Sequence, residues 1–468
     1  MASAAPLRCL ASLTARHLVP NLSRLHIQRA GISSSSRLLR TETSQTVRSR
    51  RDLLRLKPVH VQQYKKKQKP AAALVKRPAP GERKAYRKRV QLSNQSALPV
   101  TGLSLVDRDT LADSKNSGQV VALPAPVVDQ LHALEAFKAG QTWGLFKRPH
   151  FLVRSETVQM ASRMNAAAEA KETLRCILTG SRWTGKSTMM VQAMTHALVN
   201  DWVVIHIHEG QDLSNGLTDY QLLKGSEPLQ FSQPTYCLNL LKKIYAANRG
   251  VLERLPLQLD ASHKATLKAS TTIADLISNT KEIEYAWPVF QAMWSELLLP
   301  GRPRLLLTLD GLSHINRVSK YHDPSFKPIH SHDLALVATF CHALSGRTPL
   351  PNGGAVIAAT SGNNTFSVPS QELAIAQREA AQADKEIPQP NPYERHYDDR
   401  VYQTLREAWV LRVEGISRPE ARSLLEYWGA SGLIRAKLDS RAITEKWTLG
   451  GHGVVGEMER ATLVTMNL

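Results

Sequence analysis

Gly180-Ser181-Arg182-Trp183-Thr184-Gly185-Lys186-Ser187 matches the pattern G-x-x-x-x-G-K-[ST] at every fixed position. A glycine-rich turn of this spacing leaves its N–H groups free to face a β-phosphate. The helix that follows adds the positive end of its dipole. Context decides whether such a match is a phosphate site, and both flanks agree. Residues 174–179 read as a buried strand, and after Lys186 the apolar Met189, Met190, Ala193, Met194 and Ala197 recur at helical spacing up to Asn200. The phosphate-facing set is therefore Gly180, Ser181, Arg182, Trp183, Thr184, Gly185, Lys186, Ser187 and Thr188. In it Lys186 reaches the β- and γ-phosphates, and the Ser187 hydroxyl ligates Mg²⁺.

Three more apolar runs extend the pattern outward. Residues 202–207 form a second strand whose end carries His206 and His208; two satisfied imidazoles are the plainer reading than a metal pair. Residues 304–309 form a third strand ending in Asp310, the Walker B position, where the carboxylate holds Mg²⁺ through water. The residue after that Asp is usually Glu in active ATPases of this broad class, and here it is Gly311. General-base assistance typically contributes about 10²–10⁴-fold, so the site is expected to bind nucleotide and hydrolyse it slowly, unless Glu209 or Asp212 substitutes in space. A fourth strand, 354–359, ends at Thr360-Ser361, where either hydroxyl serves as a γ-phosphate sensor or simply caps a turn. The N-K-x-D guanine motif of small GTPases is absent, so the base stays open. His314, His322, His330, His332 and His342 lack metal-ligand spacing and read as surface and loop histidines.

Strands alternating with helical stretches near 186–200, 234–247, 286–299 and 331–345 specify an α/β fold with a doubly wound parallel sheet, of the P-loop NTPase, AAA+-like kind. Residues 255–285 are an insertion between the second and third strands. A Pro-rich stretch, 387–397, reads as a linker to helical patterns at 398–413 and 418–428 and a last helix near 453–465. The expected division is 1–40, an import address; 41–100, a basic extension; 101–386, the P-loop domain with its lead-in; and 387–468, a helical lid with a winged-helix-like arrangement among its options.

Charge sharpens this division. The chain of 468 residues has a formal net charge of +20, but residues 1–100 alone hold 22 Lys and Arg against three acids, Glu42, Asp52 and Glu82. The body is near neutral, which excludes a uniformly basic fold. Residues 1–41 contain six Arg, seven Ser and no acid, the composition of a mitochondrial transit peptide. Between 48 and 90, basic blocks alternate with Pro58, Pro70, Pro78 and Pro80. Such a segment cannot bury enough apolar surface to fold alone and suits contact with RNA phosphates, with Tyr64 or Tyr86 stacking on bases. Four scattered cysteines argue against a disulfide framework, and no apolar window is long enough to span a bilayer.

Trp183-Thr184-Gly185-Lys186-Ser187, the run Asp201-Trp202-Val203-Val204-Ile205-His206-Ile207, and Asp310-Gly311 in place of Asp-Glu together resemble the death-associated protein three family of mitochondrial small-subunit ribosomal proteins, over roughly residues 140–465. The resemblance implies an AAA+-related, GTP-binding component of the small-subunit head in the mitochondrial matrix. Its partners would be ribosomal RNA, neighbouring ribosomal proteins and the large subunit across the interface, not a second copy of itself. It also implies GTP or GDP, with ATP open, held by Gly180, Gly185, Lys186, Ser187 and Thr188, and Mg²⁺ held at Asp310. Arg182-Trp183 is bulkier than the family tends to carry there. The competing readings are an active AAA+ ATPase serving as chaperone or assembly motor, which Gly311 disfavours, and a P-loop kinase, for which no acceptor signature is present.

Overall fold

The computed structural model describes residues 91–223, 225–258, 270–362 and 366–464. The import address 1–40 and the basic blocks up to residue 90 lie outside the described residues, as does the end of the last expected helix beyond 464.

Five strands make the central sheet: β1 (Thr173–Thr179), β2 (Val203–Ile207), β3 (Leu305–Asp310), β4 (Gly354–Ala359) and β5 (Trp409–Arg412). They run parallel in the order β5-β1-β4-β3-β2. Helices of seven residues or more are α1 (Ala125–Ala133), α2 (Ser155–Ala170), α3 (Lys186–Val199), α4 (Pro234–Leu252), α5 (Ala286–Leu297), α6 (Ala335–Ser345), α7 (Pro369–Gln382), α8 (Asp399–Leu405), α9 (Arg418–Ala430) and α10 (Ser440–Leu449).

The near-continuous apolar strands follow from burial on both faces. Successive side chains alternate between two cores. Val203, Ile205, Ile207, Leu305, Leu307, Leu309, Val356 and Ala358 pack with α4, α5, α6 and α8. Cys176, Leu178, Val204, Leu306, Ala355 and Ile357 point the other way, onto α1, α2 and α3. Burying one Leu or Ile fully contributes roughly 1.5–3 kcal/mol, so the two cores fix which face each strand residue takes. At the β2 edge, Asn248 interrupts the helical backbone of α4. Its amide donates to the Val204 carbonyl and its oxygen accepts the Val204 N–H. A side chain thus does the pairing that a further strand would do.

The C-terminal part departs from the expected pattern. Residues 398–413 were expected to be helical throughout; α8 stops at Leu405 and the chain enters β5, which pairs with β1 from Trp409↔Cys176 to Arg412↔Thr179. Trp409-Val410-Leu411 are apolar without a helical period, and the open edge of β1 gives them hydrogen-bond partners. The sheet therefore reaches across the Pro-rich stretch into the segment expected as a separate lid, and the described residues on both sides of 387 fall in one compact unit. After Arg412 the named elements are helices: α9, α10, Val455–Glu459 and a π-helical turn, Arg460–Val464. Among the described residues no strand follows Arg412, so no wing hairpin forms there. α9 starts with a capping box, Ser417 and Glu420, and its buried face joins Phe146 and Leu152 of the lead-in in a third cluster with Ile416, Leu425, Trp428 and Met458. The Val120–Ala122 and His150–Leu152 strands pair antiparallel and carry that lead-in. No described helix is long and apolar enough to cross a membrane, and Cys176, Cys237 and Cys341 are buried and unpaired.

In the segment between β2 and β3, Glu296 of α5 is fully buried. It pairs with the Arg302 guanidinium and accepts the Gln258 N–H at 2.7 Å, while Arg302 also donates to the Pro256 carbonyl at 2.7 Å. Breaking a buried pair leaves an uncompensated charge and costs about 3–5 kcal/mol. Glu296→Ala is expected to lower the denaturation midpoint by that amount of free energy, while a distant surface change such as Glu426→Ala leaves it within about 0.5 kcal/mol; chemical denaturation of the two variants checks this.

Candidate nucleotide-binding site

The loop between β1 and α3 is held by contacts that come from far away in the sequence. Gly180 has φ +135°, and a Cβ there would lie 2.2 Å from the Val413 carbonyl, so the loop leaves the sheet pressed against the exit of β5. Gly185, at φ +102°, opens α3 in the left-handed region that a side chain would strain. The Thr184 hydroxyl donates to the Ser181 carbonyl at 3.0 Å. Arg154, buried at the start of α2, donates to the Thr184 carbonyl, to Glu156 and to the Glu414 carbonyl, at 3.1, 2.6 and 2.8 Å. Lead-in, loop and β5 exit thus share one guanidinium.

Lys186 is buried and donates to the Gly180 and Ser181 carbonyls at 2.8 and 2.6 Å. Burial lowers its pKa, with Asp310 acting in the opposite direction. The Ser187 hydroxyl donates to Asp310 at 2.7 Å, so the Walker A hydroxyl and Walker B carboxylate converge as expected. This pair suits Mg²⁺, which is usually held by one or two protein oxygens plus phosphates and water. The same Asp310 oxygen also meets the Lys138 ammonium, a residue with no marker in the sequence. Among the described residues no cluster of three His, Cys, Asp or Glu is placed to hold a metal by protein ligands alone.

The arrangement opens on a cavity of about 590 Å³, within the range that takes a nucleotide. Arg182, Trp183, Thr184, Gly185, Lys186, Ser187, Thr188 and Asp310 all line it. Gly180 and Ser181 lie behind the wall and act through their carbonyls. The bulk of Arg182 and Trp183 has a structural reason. Trp183 has φ +63°, its carbonyl accepts the Gly456 N–H at 3.0 Å, and its ring lies between the guanidinium groups of Arg182 and Arg460, 4.2 and 3.7 Å from the ring centroid. A Cβ on Gly456 would come within 2.7 Å of Trp183. The loop is therefore docked onto the last helical turns. Phe146, His150, Leu152, Leu424, Trp428 and Glu459, none of them flagged by a motif, also line the cavity. They are invisible to local pattern because they come from two ends of the chain.

The carboxylate usual after the Walker B Asp is replaced by Gly311. Gly311 has φ +86°, and a Cβ there would meet the His314 ring at 3.3 Å and the Gly210 N at 3.4 Å. Glu209 reaches the cavity wall and Asp212 does not. The Thr360 hydroxyl and N–H both donate to the Leu178 carbonyl, which ties β4 to β1, and Thr360 and Ser361 both line the cavity. His206 is buried and bonds the Thr308 hydroxyl at 2.8 Å, but buried His208 Nδ1 has no partner, so only one of the two imidazoles is satisfied as expected. His314 and His330 are buried rather than on the surface, and His332, held against Asn316 at 3.1 Å, is pushed down to about 3 by burial. His322 is exposed at the end of the Val318–His322 strand, as expected, whereas His314 lies in a short buried helix, Leu312–Ile315, and His342 is half-buried in α6.

Comparisons with known proteins come next to this geometry. Residues 151–461 match the family model of mitochondrial ribosomal death-associated protein 3. A protein of Neurospora crassa described as small ribosomal subunit protein mS29 is 47% identical over 98% of this chain and 98% of its own. A Schizosaccharomyces pombe protein with the same description is 22% identical over 70% of this chain and 68% of its own. A solved Walker-type ATPase of Pyrococcus abyssi covers 65% of this chain and 67% of its own at 14% identity, with a TM-score of 0.32, too loose a superposition to bear on fold or function.

Because the backbone at position 311 is left-handed, adding the usual carboxylate cannot simply restore it. Gly311→Glu is expected to destabilise the protein by roughly 1–3 kcal/mol through backbone strain and to leave phosphate release no faster than in the unaltered chain. Thermal denaturation and a phosphate-release assay on the same preparation check both halves.

Proposed function

The chain belongs to the mitochondrial ribosomal death-associated protein 3 family, and from that premise we propose that it is a structural ribosomal protein that retains a purine nucleotide rather than turning one over. It is a small-subunit protein of the mitochondrial ribosome and resides in the mitochondrial matrix. In this reading it supports mitochondrial translation, contacting ribosomal RNA and neighbouring ribosomal proteins, and faces the large subunit. The basic stretch 41–100 supplies the phosphate-neutralising charge.

The observation that carries the reading is the contrast within one site. Lys186, Ser187 and Asp310 are gathered as phosphate binding requires, while position 311 has no carboxylate and a left-handed backbone that would strain one. The nucleotide would be GTP or GDP, with ATP the less favoured candidate. Lys186 would hold its β- and γ-phosphates, the N–H groups from Arg182 to Thr188 would cradle it, and Ser187 with Asp310 would hold Mg²⁺. Mg²⁺ supplies charge neutralisation at the phosphates. Lys138 must share or yield its Asp310 oxygen to that ion. The helices after β5 close over the loop as an AAA+-type lid does, joined to it through Trp183 and Gly456. An ATPase motor would need a water-orienting group and partners in a ring; the usual carboxylate is replaced by Gly311, which leaves Glu209 as the acid nearest that role.

A ligand that binds only the native state, present at a hundred times its Kd, stabilises it by about 2.7 kcal/mol. Lys186→Ala is therefore expected to lower nucleotide retention about tenfold or more, in line with the roughly 1.5–3 kcal/mol of a charged hydrogen bond, and to lower thermal stability with it. Unchanged retention in the purified variant refutes the role of Lys186. Sedimentation of mitochondrial ribosomes through a high-salt cushion should carry the protein with the small subunit; recovery in the free pool with rapid nucleotide turnover contradicts the structural role.

A further inference from the structure

The cavity wall combines two chemistries, charged side chains around the phosphate loop and a set of aromatic and aliphatic ones. Three acidic side chains line the cavity, and two of them, Glu209 and Asp310, do so with Lys138, Lys186 and Ser187. Glu459 is the third. It belongs to the turn that carries Gly456 and Arg460, and it lines the same cavity as Phe146, Leu152, Leu424 and Trp428. These aromatic and aliphatic side chains suit a flat heteroaromatic ring.

Glu459 is half-buried in the cavity wall. Its neighbour is the Thr142 hydroxyl, and burial raises its carboxyl to about 7. Arg460, next in the chain, is held over the Trp183 ring. The Thr142 hydroxyl gives this carboxylate one donor, and its remaining acceptor positions can be satisfied by N–H groups brought by a ligand. We propose that Glu459 reads the base, its two carboxylate oxygens accepting the N1–H and 2-amino N–H of guanine. Adenine has a lone pair at N1 and no 2-amino group, so it offers the pair of oxygens one donor and one repulsion. Two parallel charge-assisted bonds are the stronger arrangement. The chain thus selects guanine without the N-K-x-D motif, from a residue at its C-terminal end. This assignment rests on the nucleotide reading of the cavity made above.

The test uses the purified full-length chain at pH 8 with Mg²⁺, and competition of GDP, IDP, XDP and ADP against a fluorescent GDP. The unaltered chain should favour GDP over IDP, which lacks the 2-amino group, by about tenfold, and over ADP and XDP by about a hundredfold or more. Glu459→Gln should invert the order of GDP and XDP, because an amide can accept the xanthine N1–H and donate to its O2. Gain of XDP binding also reports a folded variant. Equal binding of GDP and ADP by the unaltered chain overturns the proposal without any variant, as does a GDP preference that survives Glu459→Gln. If the unaltered chain binds none of the four, the nucleotide reading itself fails and the base assignment falls with it.

Discussion

The Arg154 guanidinium sets the frame on which the site depends. It is 5% exposed and bonds the carbonyls of Thr184 and Glu414, in the loop after β1 and just past β5, as well as Glu156 on its own helix. Buried carbonyls need donors, and a planar fork with five N–H groups can serve three segments at once where a lysine ammonium cannot. Its Nε has no partner among the described residues, so the cation is stretched between its carbonyls rather than saturated. With that frame in place, Gly180 can press on Val413, and Lys186 can be folded back onto its own loop.

The loop is also gripped from outside. Trp183, wedged between Arg182 and Arg460, makes the phosphate-facing turn part of the interface with the C-terminal helices. A stacked guanidinium contributes roughly 0.5–2 kcal/mol depending on solvation, so two of them are enough to favour one loop geometry.

The parts legible in the sequence were those written in local period. The P-loop flanks, the alternation of Val203, Ile205 and Ile207 against Val204, and the Asp310-Gly311 step all announce themselves within a few residues, and the structure has them in one sheet. What escaped was assembled by tertiary contact. β5 is four residues long and follows a helix, so only the waiting edge of β1 makes it a strand. Lys138 lies in an irregular lead-in 172 positions before the carboxylate it meets. Glu459 is an ordinary acid on a short helix until it is seen to line the same cavity as Phe146 and Trp428. Sequence period reports which face is buried; it does not report which distant segment does the burying.

The position of β5 also bears on how the molecule comes into being. β1, the strand that delivers the P-loop, sits between two neighbours drawn from much later in the chain: Gly354 pairs with Thr173, and Trp409 pairs with Cys176. Contacts of such sequence separation are slow to form, because the loop between them must be closed before any pairing is gained. Until the polypeptide has passed residue 412, β1 presents an unpaired apolar edge, the kind of surface that recruits other chains. A chain that emerges N-terminus first therefore carries the strand behind its phosphate loop incomplete until nearly all of it has followed.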